Sequence, residues 1–432
     1  MPCPAPGFPS EVGSRGAPAP LGAQTLRWTS AVWHVMSVPP DLHQQYLQTC
    51  QNLSQPENHF VARVLQEADK NDNIRWTKGI TLKIAGNNRL VPVQRVTDED
   101  VQVLASVLRC AVCVTGLDLR YNDLTDVGVR HVATFLQGLP VMWCRTEVEN
   151  STLRYLNLMF NDIGTSGAEL IANALHSNET LLHLRLTGNK IGNKGGMYFA
   201  SMLQVNCTLE KLDLGDCDVE ETTVHIALML KNNSSLVELH LCKHEIKSFG
   251  VERLCEALYE NCSLRYLDLS CNKVTREDVK FLGELLKQNQ TLEILDLNSN
   301  RIEDDGAIYL SEALALYNRT LKALSVVSNN ISGKGLAALS QAMKINVELS
   351  YIYIWGNNFD EAACMAFSEL IQAGRLKPDC TDVEPYEVDG HIHLAELSHG
   401  LKKHYYWTPS YGEVKNAAAN ASLAIAAVSE CF

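Results

Sequence analysis

Positive charge is scarce in this chain. Its 432 residues carry 37 lysines and arginines against 50 aspartates and glutamates, a formal net charge of −13. A nucleic-acid binder needs a basic footprint for the phosphates, so direct nucleic-acid recognition is excluded as the main task. Long apolar runs are missing too. No stretch of 18 apolar residues occurs, which argues against a membrane-spanning helix. The first 40 residues lack the charged start and apolar core of a secretory signal, so an intracellular protein is expected. No glycine-rich phosphate loop, HExxH or GxSxG is present, and histidines and carboxylates are scattered. The expectation is no catalysis and no cofactor. The 14 cysteines include one CxxC, Cys110 and Cys113, with no second pair at zinc spacing, so no metal site is expected.

What the chain does have is a period. Asn87, Asn122, Asn161, Asn189, Cys217, His244, Asn272, Asn300, Asn329 and Asn357 form one column, and from Asn161 onward its steps are 27 to 29 residues. Five residues earlier stand Leu82, Leu117, Leu156, Leu184, Leu212, Leu239, Leu267, Leu295, Leu324 and Ile352. Three residues earlier runs a second apolar column, from Ile84 and Leu119 to Val326 and Ile354. Residues two apart on a strand share a face, so each unit contributes a short strand with both leucines inward. An apolar residue follows the asparagine column by two, as in Ile246 and Ile302, and a glycine follows it by six, as in Gly250 and Gly306. Each glycine opens an amphipathic helix, with Leu254 and Leu258 or Leu310 and Leu314 on one face. A helix between successive strands makes them parallel. No unit buries its leucines alone, but a stack does. The expected fold class is α/β: a leucine-rich repeat solenoid or horseshoe, with parallel strands on the concave face and helices on the convex face. The asparagine should bond backbone groups left unpaired by the turn, and His244 reads as an imidazole doing a similar job.

Four segments follow. Residues 1–40, rich in proline, glycine and alanine, read as disordered. Residues 41–75 read as a helical cap, with helices near 41–52 and 56–68. Residues 76–376 are the solenoid of about ten repeats, with an insertion at 138–148 read as a tolerated loop. Residues 377–432 read as a cap hairpin around Asp389-Gly390 and a tail, alanine-rich and frayed from 413. Sequons at Asn150, Asn178, Asn206, Asn261, Asn289 and Asn318 keep one repeat phase and read as turn punctuation, not glycan sites.

Binding should fall on the concave wall. Alternation places Tyr155, Arg185, Asp213, His240, Tyr266, Asp268, Asp296, Tyr351, Tyr353 and Trp355 on that face, away from the leucines. Exposed tyrosine and tryptophan are typical anchors, and clustered aspartates steer basic partners. The predicted ligand is a protein, with a preference for basic ones.

Repeats of 28 residues with long helices make the chain resemble the ribonuclease-inhibitor-like class of leucine-rich repeat proteins. The class implies protein–protein binding, and it includes inhibitors, GTPase activators, innate sensors and ciliary scaffolds. The tracts Tyr351–Asn358 and Lys402–Trp407 are similar to a branch that implies a nuclear or nucleolar regulator in stem or germ cells. The resemblance thus points to the cytoplasm, nucleus or nucleolus, with a structural subunit of a cilium as the alternative. A GTPase activator ranks last, because no catalytic arginine can be matched.

Overall fold

The computed structural model describes residues 41–70, 79–88, 91–109, 111, 113–137, 152–397 and 425–427. The expected disorder of 1–40, the 138–148 loop, Cys110 and the Lys402–Trp407 motif lie outside these residues.

Ten parallel strands form one sheet in sequence order. They are β1 Ile80–Lys83, β2 Val114–Asp118, β3 Tyr155–Asn157, β4 His183–Arg185, β5 Lys211–Asp213, β6 Glu238–His240, β7 Tyr266–Asp268, β8 Ile294–Asp296, β9 Ala323–Ser325 and β10 Tyr351–Tyr353. A helix follows each described turn, and the leucine columns are buried with the inner helix faces in one continuous core. The chain is therefore the α/β leucine-rich repeat solenoid that the columns require. Register is uniform: Leu156, Leu184, Leu212, Leu239, Leu267, Leu295, Leu324 and Ile352 lie side by side across β3 to β10.

Two asparagine ladders hold the repeats together. Asn300 donates to Leu269 O at 3.0 Å in the preceding repeat and to Leu297 O at 2.9 Å in its own. Its carbonyl accepts from Asn272 N and Val274 N, both at 2.9 Å. The same pattern recurs at Asn122, Asn189 and Asn357. Cys217 keeps a weaker version, its Sγ 3.1 Å from Leu186 O and 3.3 Å from Gly215 O. His244 keeps both functions: Nε2 donates to Leu214 O at 2.8 Å, and Nδ1 accepts from Val219 N at 3.4 Å. Burial depresses its pKa, consistent with a neutral ring. The second ladder is the sequon column. Asn206, Asn261, Asn289 and Asn318 are buried and donate to the last carbonyls of the preceding repeat's helix. A side chain so engaged is not available to a glycan.

The glycine column works with the isoleucines. A Cβ on Gly306 would stand 2.7 Å from Ile302 Cγ2, and one on Gly250 2.8 Å from Ile246 Cγ2. Only glycine lets the helix start so close to that apolar anchor.

Both sheet edges are covered. On the first side, helices Leu42–Asn52 and His59–Lys70 bury Leu42, Tyr46, Phe60, Val64 and Leu65 over the core. The free edge of β1 pairs with an antiparallel strand from the far C-terminus, β13 Ile425–Ala427. The frayed end read for 413–432 is thus corrected at these three residues. Edge hydrogen-bonding groups outweigh the poor strand propensity of alanine. On the last side, Asp382 accepts from Ile354 N at 2.8 Å and Trp355 N at 3.0 Å, where a further repeat would have supplied carbonyls. Arg375 donates to Met343 O and Leu349 O, both at 2.8 Å. Beyond lies an antiparallel hairpin, β11 Val383–Val388 and β12 His391–Glu396. Asp389 and Gly390 turn it with φ of 52° and 83°, as a two-residue turn with both positions left-handed requires.

Asn300→Ala should lower unfolding free energy by several kcal/mol, at about 1–3 kcal/mol for each buried group left unpaired. Gln290→Ala, on an exposed turn, should change it by less than about 0.5 kcal/mol. Chemical denaturation measures both, and equal midpoints for the two variants would refute the ladder's role.

Candidate functional site

The candidate surface is the sheet face opposite the leucines. Alternation delivers all ten expected residues to it, in three columns. The first runs Tyr155, His183, Lys211, Glu238, Tyr266, Ile294, Ala323 and Tyr351. The second runs Asn157, Arg185, Asp213, His240, Asp268, Asp296, Ser325 and Tyr353. Trp355 belongs to a third, with Thr187, Cys242, Ser270, Asn298 and Val327.

The columns divide the face in two. Across β5 to β7 runs a chain of opposite charges. Lys211 Nζ stands 3.5 Å from Glu238 Oε2, Glu238 Oε1 2.6 Å from His240 Nε2, and His240 Nδ1 3.0 Å from Asp268 Oδ2. Ser270 Oγ donates to Asp268 Oδ1 at 2.6 Å. The His240 ring meets the Tyr266 ring edge-on at 4.9 Å. Burial opposes charge on His240, but hydrogen bonds to Asp268 and Glu238 overcome it and raise its pKa to about 10. His183, buried beside Lys211, is pushed the other way, to about 3. Asp213 accepts from Thr187 Oγ1 and from Gly215 N. On β2, Asp118 pairs with Arg120 at 3.2 Å. From β7 to β10 the face turns apolar: Tyr266, Ile294, Ala323 and Tyr353 form a buried cluster flanked by Tyr351 and Val327.

Exposure differs from expectation. Tyr155, Arg185, Asp213, His240, Tyr266, Asp268, Asp296 and Tyr353 are all buried, Tyr353 completely. Of the ten, only Tyr351 and Trp355 are partly exposed, and both are packed: Tyr351 against the Tyr266 cluster, Trp355 against the main core and the Phe359 ring. Strands about 4.8 Å apart bring large side chains of one column into mutual cover. The aspartates do not stand as a bare acidic wall either, because His240 sits against Asp268 and Arg120 against Asp118. The 378–382 segment also reaches Tyr351, whose hydroxyl hydrogen-bonds Cys380. Lys211, Glu238 and Ile294 were not among the expected site residues. The alternation that selects Tyr266 selects them equally; only their residue types hid them.

Among the described residues, no group of three or more histidine, cysteine or acidic side chains is placed to hold a metal ion. No described helix is long and apolar enough to cross a membrane.

This geometry defines a leucine-rich repeat solenoid protein. A family profile described as Leucine Rich repeat matches residues 112–133, 149–172, 177–200, 205–221, 260–283, 288–311 and 317–340, leaving out 222–259, which holds His244. Pig ribonuclease inhibitor is 32% identical over 182 residues, 38% of this chain and 34% of its own. Human leucine-rich repeat-containing protein 34 is 50% identical over 410 residues, covering 90% of this chain and 88% of that one. The mouse protein of the same name is 52% identical over 421 residues, covering 90% and 99%. The chain belongs to the leucine-rich repeat-containing protein 34 family.

The His240 chain sets a pH dependence. Its folded pKa of about 10 lies above the ordinary 6.5. The stability it contributes is therefore fully present below pH 6.5 and is lost as pH rises toward 10. His240→Gln should be clearly less stable than wild type at pH 6, with the gap narrowing by pH 10. Urea midpoints across that range decide it; a gap that stays constant would show His240 uncharged in the fold.

Proposed function

We propose that the chain is a non-enzymatic scaffold that binds a protein partner along the concave wall of its repeats. The observation that carries this reading is the pair of partly exposed aromatics, Tyr351 and Trp355, at the C-terminal end of the face. Aromatic side chains of this kind bury much area at little entropic cost. Tyr155, Arg185, Asp213, His240, Tyr266, Asp268, Asp296 and Tyr353 fix the shape and charge of the wall beneath the partner. A net charge of −13 favours a basic partner. The wider setting we propose is the nucleus or nucleolus of stem or germ cells.

A second reading is a structural subunit of a large assembly such as a cilium, held by another surface. Leu316, Tyr317, Ile345 and Val347 favour it. They end two successive helices, Glu303–Leu316 and Gly333–Ile345, and are 49–73% exposed. Contiguous exposed apolar residues of this kind mark contact surfaces.

Affinity capture with the full chain separates the two. Tyr351→Ala with Trp355→Ala should melt within a few degrees of wild type and lose most of the captured partner. A double variant that keeps every partner, while Leu316→Ser with Val347→Ser loses them, would replace the first reading with the second.

A further inference from the structure

The C-terminal cap holds a cleft of its own, between the hairpin β11–β12 and the helix Glu361–Gln372. It measures about 300 Å³, at the lower end of the roughly 300–1,000 Å³ in which clefts take small ligands. The hairpin lines it with Tyr386, His391, Ile392, His393 and Leu394, and the Tyr386 and His393 rings lie 5.5 Å apart. The start of the helix adds Phe359, Asp360, Glu361 and Cys364. Cys364 and Leu394 are buried, and Phe359 and Ile392 pack against the core, so part of the lining is apolar enough for methylene groups. The rest is aromatic or acidic.

The acidic groups have no matching lysine or arginine. On the repeats, surface carboxylates find a cation one repeat away, as Glu303 does in Arg276 and Glu369 in Lys344. Among the described residues, no lysine or arginine pairs with Asp360, Glu361, Glu384 or Glu387, all of them exposed. Glu361 is 61% exposed, and His391 Nδ1 stands 2.9 Å from one of its oxygens, Oε1. Asp360 uses Oδ1 to cap the helix, accepting from Ala363 N at 2.8 Å. Residues 356–397 carry nine acidic side chains and two basic ones, more than half of the net charge of −13. One of those two, Arg375, is spent on the carbonyls of Met343 and Leu349. The negative potential of the whole chain is thus concentrated around this cleft, where it attracts cations.

Aromatic rings beside carboxylates, over an apolar lining, match one side chain best. A guanidinium is planar, stacks on rings and forks onto a carboxylate, and its three methylenes want apolar cover. The surroundings favour a protein segment over a free small molecule. Glu384 lies two residues from Tyr386, on the same face of β11, so carboxylates continue past the cleft. On the other side the Phe359 ring stands 6.0 Å from that of Trp355, at the end of the concave wall.

We infer that this cleft binds an arginine side chain of a basic protein segment, with the guanidinium on Glu361 and Asp360 and stacked on the Tyr386 and His393 rings. This names the anchoring cation of the basic partner proposed above. Only the continuation of that partner along the wall rests on the concave-wall reading.

A titration of the full chain with the peptide acetyl-Gly-Arg-Gly-Arg-Gly-amide tests it, with the Ile392 methyl resonance as reporter. At pH 8 an ordinary histidine, with a pKa of about 6.5, is neutral. The peptide should shift the resonance saturably. A peptide with citrulline in place of both arginines keeps the shape without the charge and should bind at least tenfold more weakly, and arginine amide should bind more weakly than the peptide. Asp360→Asn with Glu361→Gln should weaken the peptide tenfold or more with little change in melting, because asparagine caps a helix as well as aspartate does. Should that variant melt early, Tyr386→Ala, at a position 49% exposed, decides the matter by the same loss. No saturable shift, equal binding of the citrulline peptide, equal binding of arginine amide, or full affinity in the variants would each overturn the inference. Peptide binding that survives Tyr351→Ala with Trp355→Ala supports the cleft even where that variant keeps every captured partner, an outcome that counts against the wall reading alone.

Discussion

Everything in this solenoid depends on one side-chain amide per repeat that reaches back to the repeat before. Parallel strands of three residues make few backbone hydrogen bonds, and the turn after each leaves carbonyl and N–H groups buried without partners. An unpaired buried group costs about 1–3 kcal/mol. Asn300 meets four of them at once, three in the preceding repeat and one in its own. The column therefore joins neighbours as well as finishing turns, and neighbour coupling is what makes a repeat array fold as a unit. Cys217 keeps a weaker version, and His244 restores a donor and an acceptor on one ring. That explains why an imidazole is tolerated where a leucine or lysine would not be: the position demands both bonding roles in a dry space.

The same dryness shapes the concave face. A charge buried alone is costly, so Glu238 and Asp268 are held by His240 between them and by Lys211 at one end. Such a chain fixes the rotamers of three strands' side chains relative to one another. It also leaves the carboxylates little to offer an incoming basic group. The middle of the wall is a rigid floor, and the partly exposed aromatics Tyr351 and Trp355 lie at its C-terminal end. Charge counted from the sequence as a row of aspartates overstates the negative potential, because cations are set against them, His240 from the neighbouring strand on Asp268 and Arg120 from two residues along on Asp118.

This separates what a period reveals from what it hides. The leucine, asparagine and glycine columns place every strand from β3 to β10, because each column answers to contacts that repeat identically. Exposure of Tyr353 is different. Alternation fixes the side on which it points, but not what lies over that side, and cover comes from residues remote in sequence. Asp382 was hidden for a related reason. It sits at the repeat spacing after Ile354 and bonds its N–H, but with a carboxylate standing where a strand carbonyl would be, so no column contains it. The pairing of Ile425–Ala427 with β1 had no local signal at all, since alanine-rich segments favour helix and only the vacant strand edge selects the extended form.

The two ends of the sheet pose one physical problem and receive two solutions. At β10 a single carboxylate replaces the missing strand, and burial raises the pKa of Asp382 to about 6 despite its two backbone donors. At β1 a real strand closes the edge, and it comes from the other terminus of the chain. A linear array in which repeats touch only their neighbours has no contact between its first and last members. Here the C-terminal segment touches both, through the hairpin beside the helix Glu361–Gln372 and through β13 on β1. Opening either end must then break a contact of very long sequence separation as well as a local one. That closure ties the stability of the first repeat to the integrity of the tail.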